Sequence, residues 1–164
     1  MQKKTDRLDK VITKYVRKFG VRRAFSGKEF CYYDNIDFIE YSIFHSPIET
    51  MWADHINNKY ECDIKPFFFI FSLLHEIGHY KTLPTIPKEE LEEELIIRKT
   101  LSDFISDQQE MNEVYTNLPS ERAANEWALT YLEENTQACW EFQRKVFRIL
   151  AHYYKKWGVR KSEV

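Results

Sequence analysis

Between Phe71 and Thr82 the chain reads FSLLHEIGHYKT, which sets His75 and His79 four residues apart with Glu76 directly after the first. A helix turns about 100° per residue, so side chains at i and i+4 share a face, roughly 5–6 Å apart at Cβ. Two imidazoles so placed can hold one Zn²⁺ at about 2.0–2.1 Å each. Glu76 falls at the edge of that face. From there its carboxylate can reach a water on the metal, take its proton and hand it to a leaving amine. At ordinary residue frequencies a His-Glu-x-x-His string arises by chance in roughly one chain in two hundred of this length, so its setting has to decide. The two turns before His75 are apolar. Both histidines therefore fall at the core boundary, where a buried imidazole needs a partner. Gly78 costs about 1 kcal/mol against alanine inside a helix, which is tolerable where another backbone or a substrate must come close.

A catalytic zinc needs a third protein ligand and an open fourth position. No third histidine follows in HEIGHYKTLPT, and His45, His55 and His152 each stand alone. A better source is SERAANEWA, where Glu121, Ala124 and Ala128 share one helical face. A carboxylate at the start of a face of small residues suits close packing on another helix. Asn125, beside that face, can hydrogen-bond a ligand histidine. Glu126 is the other carboxylate here, but it points about 140° away from Glu121, on the side of Glu133. Tyr115 and Tyr80 are candidates for stabilising an oxyanion, since a phenol can donate the required hydrogen bond.

HExxH followed by a second helix bearing ExxAN resembles the gluzincin type of zinc peptidase, and among compact members most closely the ImmA/IrrE family of metallopeptidases. That family's second motif runs ExxANxFAxxLL. This chain has Glu121, Ala124, Asn125, Trp127 in the Phe place, Ala128 and Leu132. The likeness covers roughly residues 20–135. It implies His75, His79 and Glu121 as zinc ligands, Glu76 as general base, a minimal zincin-like fold, and a protein substrate such as a transcriptional regulator. The chain departs from the family after the motif, reading YLEEN in place of LLMP, and it carries a long acidic insert between Tyr80 and Ser120.

The elements that must position these residues follow from periodicity. Residues 5–19 read as an amphipathic helix with Leu8, Val11, Ile12, Tyr15, Val16 and Phe19 inward, Thr5 as N-cap and Gly20 as its stop. Basic residues on the other face read as a solvated surface, because no aromatics interleave them; direct nucleic-acid binding is not expected. Residues 29–34 and 38–45 are rich in aromatic and β-branched types and read as two antiparallel strands. A helix entered at Ser46 and Pro47 carries Met51, Trp52, His55, Ile56 and Tyr60 on one stripe. Residues 66–81 form the central helix, ended by Pro84 and Pro87. The acidic stretch 88–115 reads as one long helix or a pair, with Leu91, Leu95, Ile97, Leu101, Phe104 and Ile105 as its inner face. Two more helices follow, one opened by Pro119 or Ser120, the other striped by Trp140, Val146, Phe147, Leu150, Tyr154 and Trp157 and ended by Gly158. The class expected is α+β: mostly helical, with a small antiparallel sheet packed on the HExxH helix.

Whole-chain properties bound the answer. A length of 164 residues fits one domain spanning 1–164, large enough for a core without staples. A net charge of −2 gives no overall pull toward nucleic acid or anionic membrane. Three cysteines, far apart and without a CxxC pair, argue against a disulfide framework or thiolate zinc site and for a reducing cytoplasm. The N-terminus has no apolar stretch of the signal-peptide kind, and PFFFIFSLL is too short to span a bilayer. The function expected is zinc-dependent cleavage of an intracellular regulatory protein, repressor-like or tied to stress or phage. The alternative is a quiet zincin scaffold that sequesters a partner. A structural zinc is the weakest reading, for want of a fourth ligand.

Overall fold

The computed structural model describes residues 6–43 and 47–157. The helix α1 (Asp6–Val16) continues as one 3₁₀ turn to Phe19 and stops at Gly20, whose φ of 106° is open to glycine and strained for other residues. Leu8, Ile12, Tyr15 and Val16 are buried, as their spacing predicts, whereas Thr5 lies outside the described residues.

Three short strands follow: β1 (Arg23–Ser26), β2 (Cys31–Tyr33) and β3 (Phe38–Tyr41). Their order is β1-β3-β2, with β3 parallel to β1 and antiparallel to β2. The sheet is therefore mixed, not antiparallel as expected. The expected pair exists in shorter form, and β1 is the strand that periodicity did not find. It has four residues, begins with an arginine, and buries only Ala24, too little for an alternating pattern. Its outer edge is closed by α1: Thr13 Oγ1 donates to the Ala24 carbonyl at 3.0 Å and accepts the Ala24 N–H at 3.1 Å. Asp9 Oδ1 takes the Ser26 N–H at 2.8 Å. Side chains of a helix thus stand in for the missing neighbour strand.

α2 (Pro47–Tyr60) enters at proline and buries Ala53 and Ile56, while Met51 turns outward, against the expected stripe. A 3₁₀ turn at Lys65–Phe67 leads into α3 (Phe68–Thr82), which is buried without interruption from Phe69 to Gly78. Its N-terminus has no cap of its own. Gln143 supplies one from α7 (Thr136–Trp157): its Oε1 accepts the Ile70 N–H at 3.1 Å and its Nε2 donates to the Pro66 carbonyl at 2.7 Å. That interaction satisfies one of the orphan donors that every helix start leaves.

The acidic stretch is a pair, α4 (Lys88–Phe104) and α5 (Gln108–Asn117), the second capped by Asp107. The expected inner face holds for Leu91, Leu101 and Ile105, which are half-buried, and fails for Leu95, Ile97 and Phe104. Leu95, Ile96, Ile97 and Phe104 are exposed, Phe104 by 83%, and the one fully buried residue is Glu94. α4 turns inward the side that carries its Glu94–Arg98 pair, with Leu91 and Leu101 half-buried on the same face. α6 (Pro119–Glu134) then runs along α3 with Ala124 and Ala128 buried at the seam. On α7, Val146 and Leu150 are buried as expected, but Trp140 and Phe147 lie largely at the surface, edge-on to Phe67 and tilted against Phe69. The side chains of Tyr154 and Trp157, and all of Gly158, lie outside the described residues. Among the described residues no helix is long and apolar enough to cross a membrane.

Candidate metal centre

The centre is made by two helices forced into close contact. A Cβ added at Gly78 would sit 2.7 Å from the Ala124 carbonyl oxygen and 2.9 Å from its Cα. Only a missing side chain on α3 and a small one on α6 let the backbones meet there. That approach carries Glu121, at the start of α6, across both histidines of α3. Glu121 Oε2 lies 3.1 Å from His75 Nε2, and Oε1 lies 3.4 Å from His79 Nε2. The two Nε2 atoms are 3.1 Å apart. Ligand atoms around a tetrahedral zinc at about 2.0–2.1 Å stand about 3.3 Å from one another, so the donor spacing fits such an ion. His75 and Glu121 are buried and His79 is half-buried.

The tautomer fits as well. Asn125 Oδ1 lies 2.8 Å from His75 Nδ1, so Nδ1 carries the proton and Nε2 keeps its lone pair for a metal. Trp52 stands edge-on to the same imidazole, with ring centroids 5.5 Å apart. Burial pushes His75 down, but its hydrogen bond to Glu121 and the charges of Glu121 and Glu76 outweigh that and raise its pKa. Burial pushes Glu121 up, and its bonds to His75 and His79 overcome this to hold it well below the ordinary carboxylate range. His75 and Glu121 thus each favour the other's charged form.

Glu76 is 6% exposed. Burial raises its pKa, against the pull of His75 and His79 and a backbone hydrogen bond from Tyr32 of β2. His75, Glu76 and Glu121 line a cavity of ≈ 350 Å³ together with Trp52, Phe68 and Met111. Tyr115 also lines it, whereas Tyr80 does not: its ring packs edge-on to Tyr32 and against Gly20. Glu126 is exposed, away from the centre. His55 bonds Thr116 of α5 at 2.8 Å, His152 is exposed on α7, and His45 lies outside the described residues.

Arg98 and Glu94, beside the centre, were not expected from sequence. Arg98 of α4 reaches Glu121, Glu94, Tyr115 and Ser120. Its one sequence signal is the i,i+4 spacing to Glu94, which ordinarily marks a surface pair. All three cysteines are pushed up by burial, Cys31 to about 11, so none is a ready thiolate nucleophile.

No family model, curated protein or solved structure matches this chain. The likeness to ImmA/IrrE peptidases therefore rests on the two sequence motifs alone.

Proposed function

We propose that this chain is a zinc-dependent endopeptidase acting on an intracellular regulatory protein, the class of substrate implied by its motif resemblance. The observation that carries the proposal is the convergence of His75, His79 and Glu121 on one buried point beside Glu76, at the wall of a cavity. Zinc bound there supplies Lewis acidity, which acidifies water and polarises a peptide carbonyl. Glu76 accepts the proton of the attacking water and delivers it to the amine nitrogen as the C–N bond breaks. A carboxyl raised by burial is suited to holding that proton between the two steps. Asn125 keeps His75 in the tautomer that binds, and Tyr115, on the same cavity, is the candidate donor to a developing oxyanion. Purified protein reconstituted with zinc should retain about one ion per chain. Glu76→Gln should keep the ion and lose peptide cleavage. Failure to retain zinc removes the site, and unchanged cleavage by Glu76→Gln removes the mechanism.

A second reading, sequestration of a partner without cleavage, draws on the exposed Leu95, Ile96, Ile97 and Phe104 of α4. Full biological effect of the Glu76→Gln protein would favour it.

A further inference from the structure

A metal ligand with two oxygens can offer one or both, and that choice decides whether a position stays open for water. In this chain the two oxygens of Glu121 stand in different surroundings. Oε2 faces His75 Nε2 at 3.1 Å. Oε1 accepts a hydrogen bond from Arg98 Nη2 at 2.5 Å, much closer than its 3.4 Å to His79 Nε2.

Arg98 is itself fixed on every side. Its Nε donates to Glu94 Oε1 at 2.7 Å, its Nη1 to the Tyr115 hydroxyl at 2.6 Å and its Nη2 to Ser120 Oγ at 3.1 Å. The guanidinium carbon lies 4.7 Å from the centre of the Tyr115 ring. Glu94 is 4% exposed, and its Oε2 accepts the Ser120 N–H at 2.8 Å. One carboxylate thus holds both the arginine and the first turn of the helix that bears Glu121. A planar fork with this many fixed bonds has little freedom to turn away.

We infer that Arg98 is a positioning residue that occupies Oε1 and so limits Glu121 to a one-oxygen donor at the metal. The inference rests on the metal reading above and adds to it a role for the α4–α5 segment. That segment delivers a cation to the outer oxygen of the third ligand. Lysine would not serve equally, since it lacks the fork that spans Glu94 and Glu121 together.

Cobalt(II) in place of zinc reports the number of ligand atoms through its visible absorption, which is several-fold stronger for four-coordinate than for five-coordinate ions. The wild-type protein should give the strong band. Arg98→Met frees Oε1, and the band should lose at least half its intensity while affinity falls about 10–100-fold. If Arg98→Met does not fold, with Glu94 left buried and unpaired, the double variant Glu94→Gln/Arg98→Met removes both charges and reads the same band. An unchanged band overturns the inference whatever happens to affinity, because a merely structural arginine would weaken binding without altering the ligand count. No cobalt band in the wild type overturns the metal reading, and the inference falls with it.

Discussion

Glu76 and Glu121 are both buried carboxyls on the same cavity, yet their environments push them in opposite directions. Burial dominates at Glu76 and raises it; the two imidazoles dominate at Glu121 and lower it. On the proposed peptidase reading, a separation of this kind suits Glu76 to carry a proton and Glu121 to stay an anion. On that reading, replacing Glu76 by glutamine should cost about 10²–10⁴-fold in peptide-cleavage rate with zinc content intact. The metal-free protein should also show a defined pH response. Glu121, depressed below its ordinary 4.5, contributes stability that is present above that value and lost as pH falls through its folded pKa. His75, raised above its ordinary 6.5, contributes stability below that value that is lost as pH rises through its folded pKa. Urea melts in chelator should therefore show a maximum between the two and a decline on the alkaline side. The same curve from Glu121→Gln would refute the pairing. At this scale Glu121 and Asn125 were legible because their spacing on a helix is fixed. Arg98 was not, because a Glu-Arg pair at i,i+4 looks the same whether its helix turns it to solvent or to a buried ligand.

The helices test the packing. Alanine is the better helix former by about 1 kcal/mol, yet Gly78→Ala should destabilise the protein by about 1–3 kcal/mol, because its methyl meets the backbone of α6. It should also weaken metal binding by moving Glu121, which a fluorescence titration can follow. Gln143→Leu leaves the Ile70 N–H and Pro66 carbonyl without their partner, at a cost of about 1–3 kcal/mol in denaturant melts. The helices were legible from a 3.6-residue period and from their prolines and glycines. The faces of α4 were not: LIIRKTL is apolar enough to suggest burial, and nothing local says that a salt-bridged pair will win the inward side. β1 was hidden for a related reason. It is held by side chains of α1 as much as by sheet neighbours, and a four-residue strand with one buried position has no period to read.

For the molecule as a whole, a metal at this centre ties the middle of α3 to the start of α6. Zinc present at a hundredfold excess over its dissociation constant should add about 2.7 kcal/mol of stability, or about 5–10 °C in Tm for a chain of this size. Chelator should reverse the gain, and Glu121→Ala should abolish it. The exposed apolar residues of α4 make no described core contribution, so Phe104→Asp should leave the melt within about 0.5 kcal/mol of wild type. A larger loss would mean that this helix is covered in solution.

The helix that closes the outer edge of β1 has a consequence for assembly. With Thr13 and Asp9 occupying the Ala24 and Ser26 backbone groups, another strand has only the β2 side to join. Endless growth needs two sticky margins per unit, and this sheet keeps one of its margins shut.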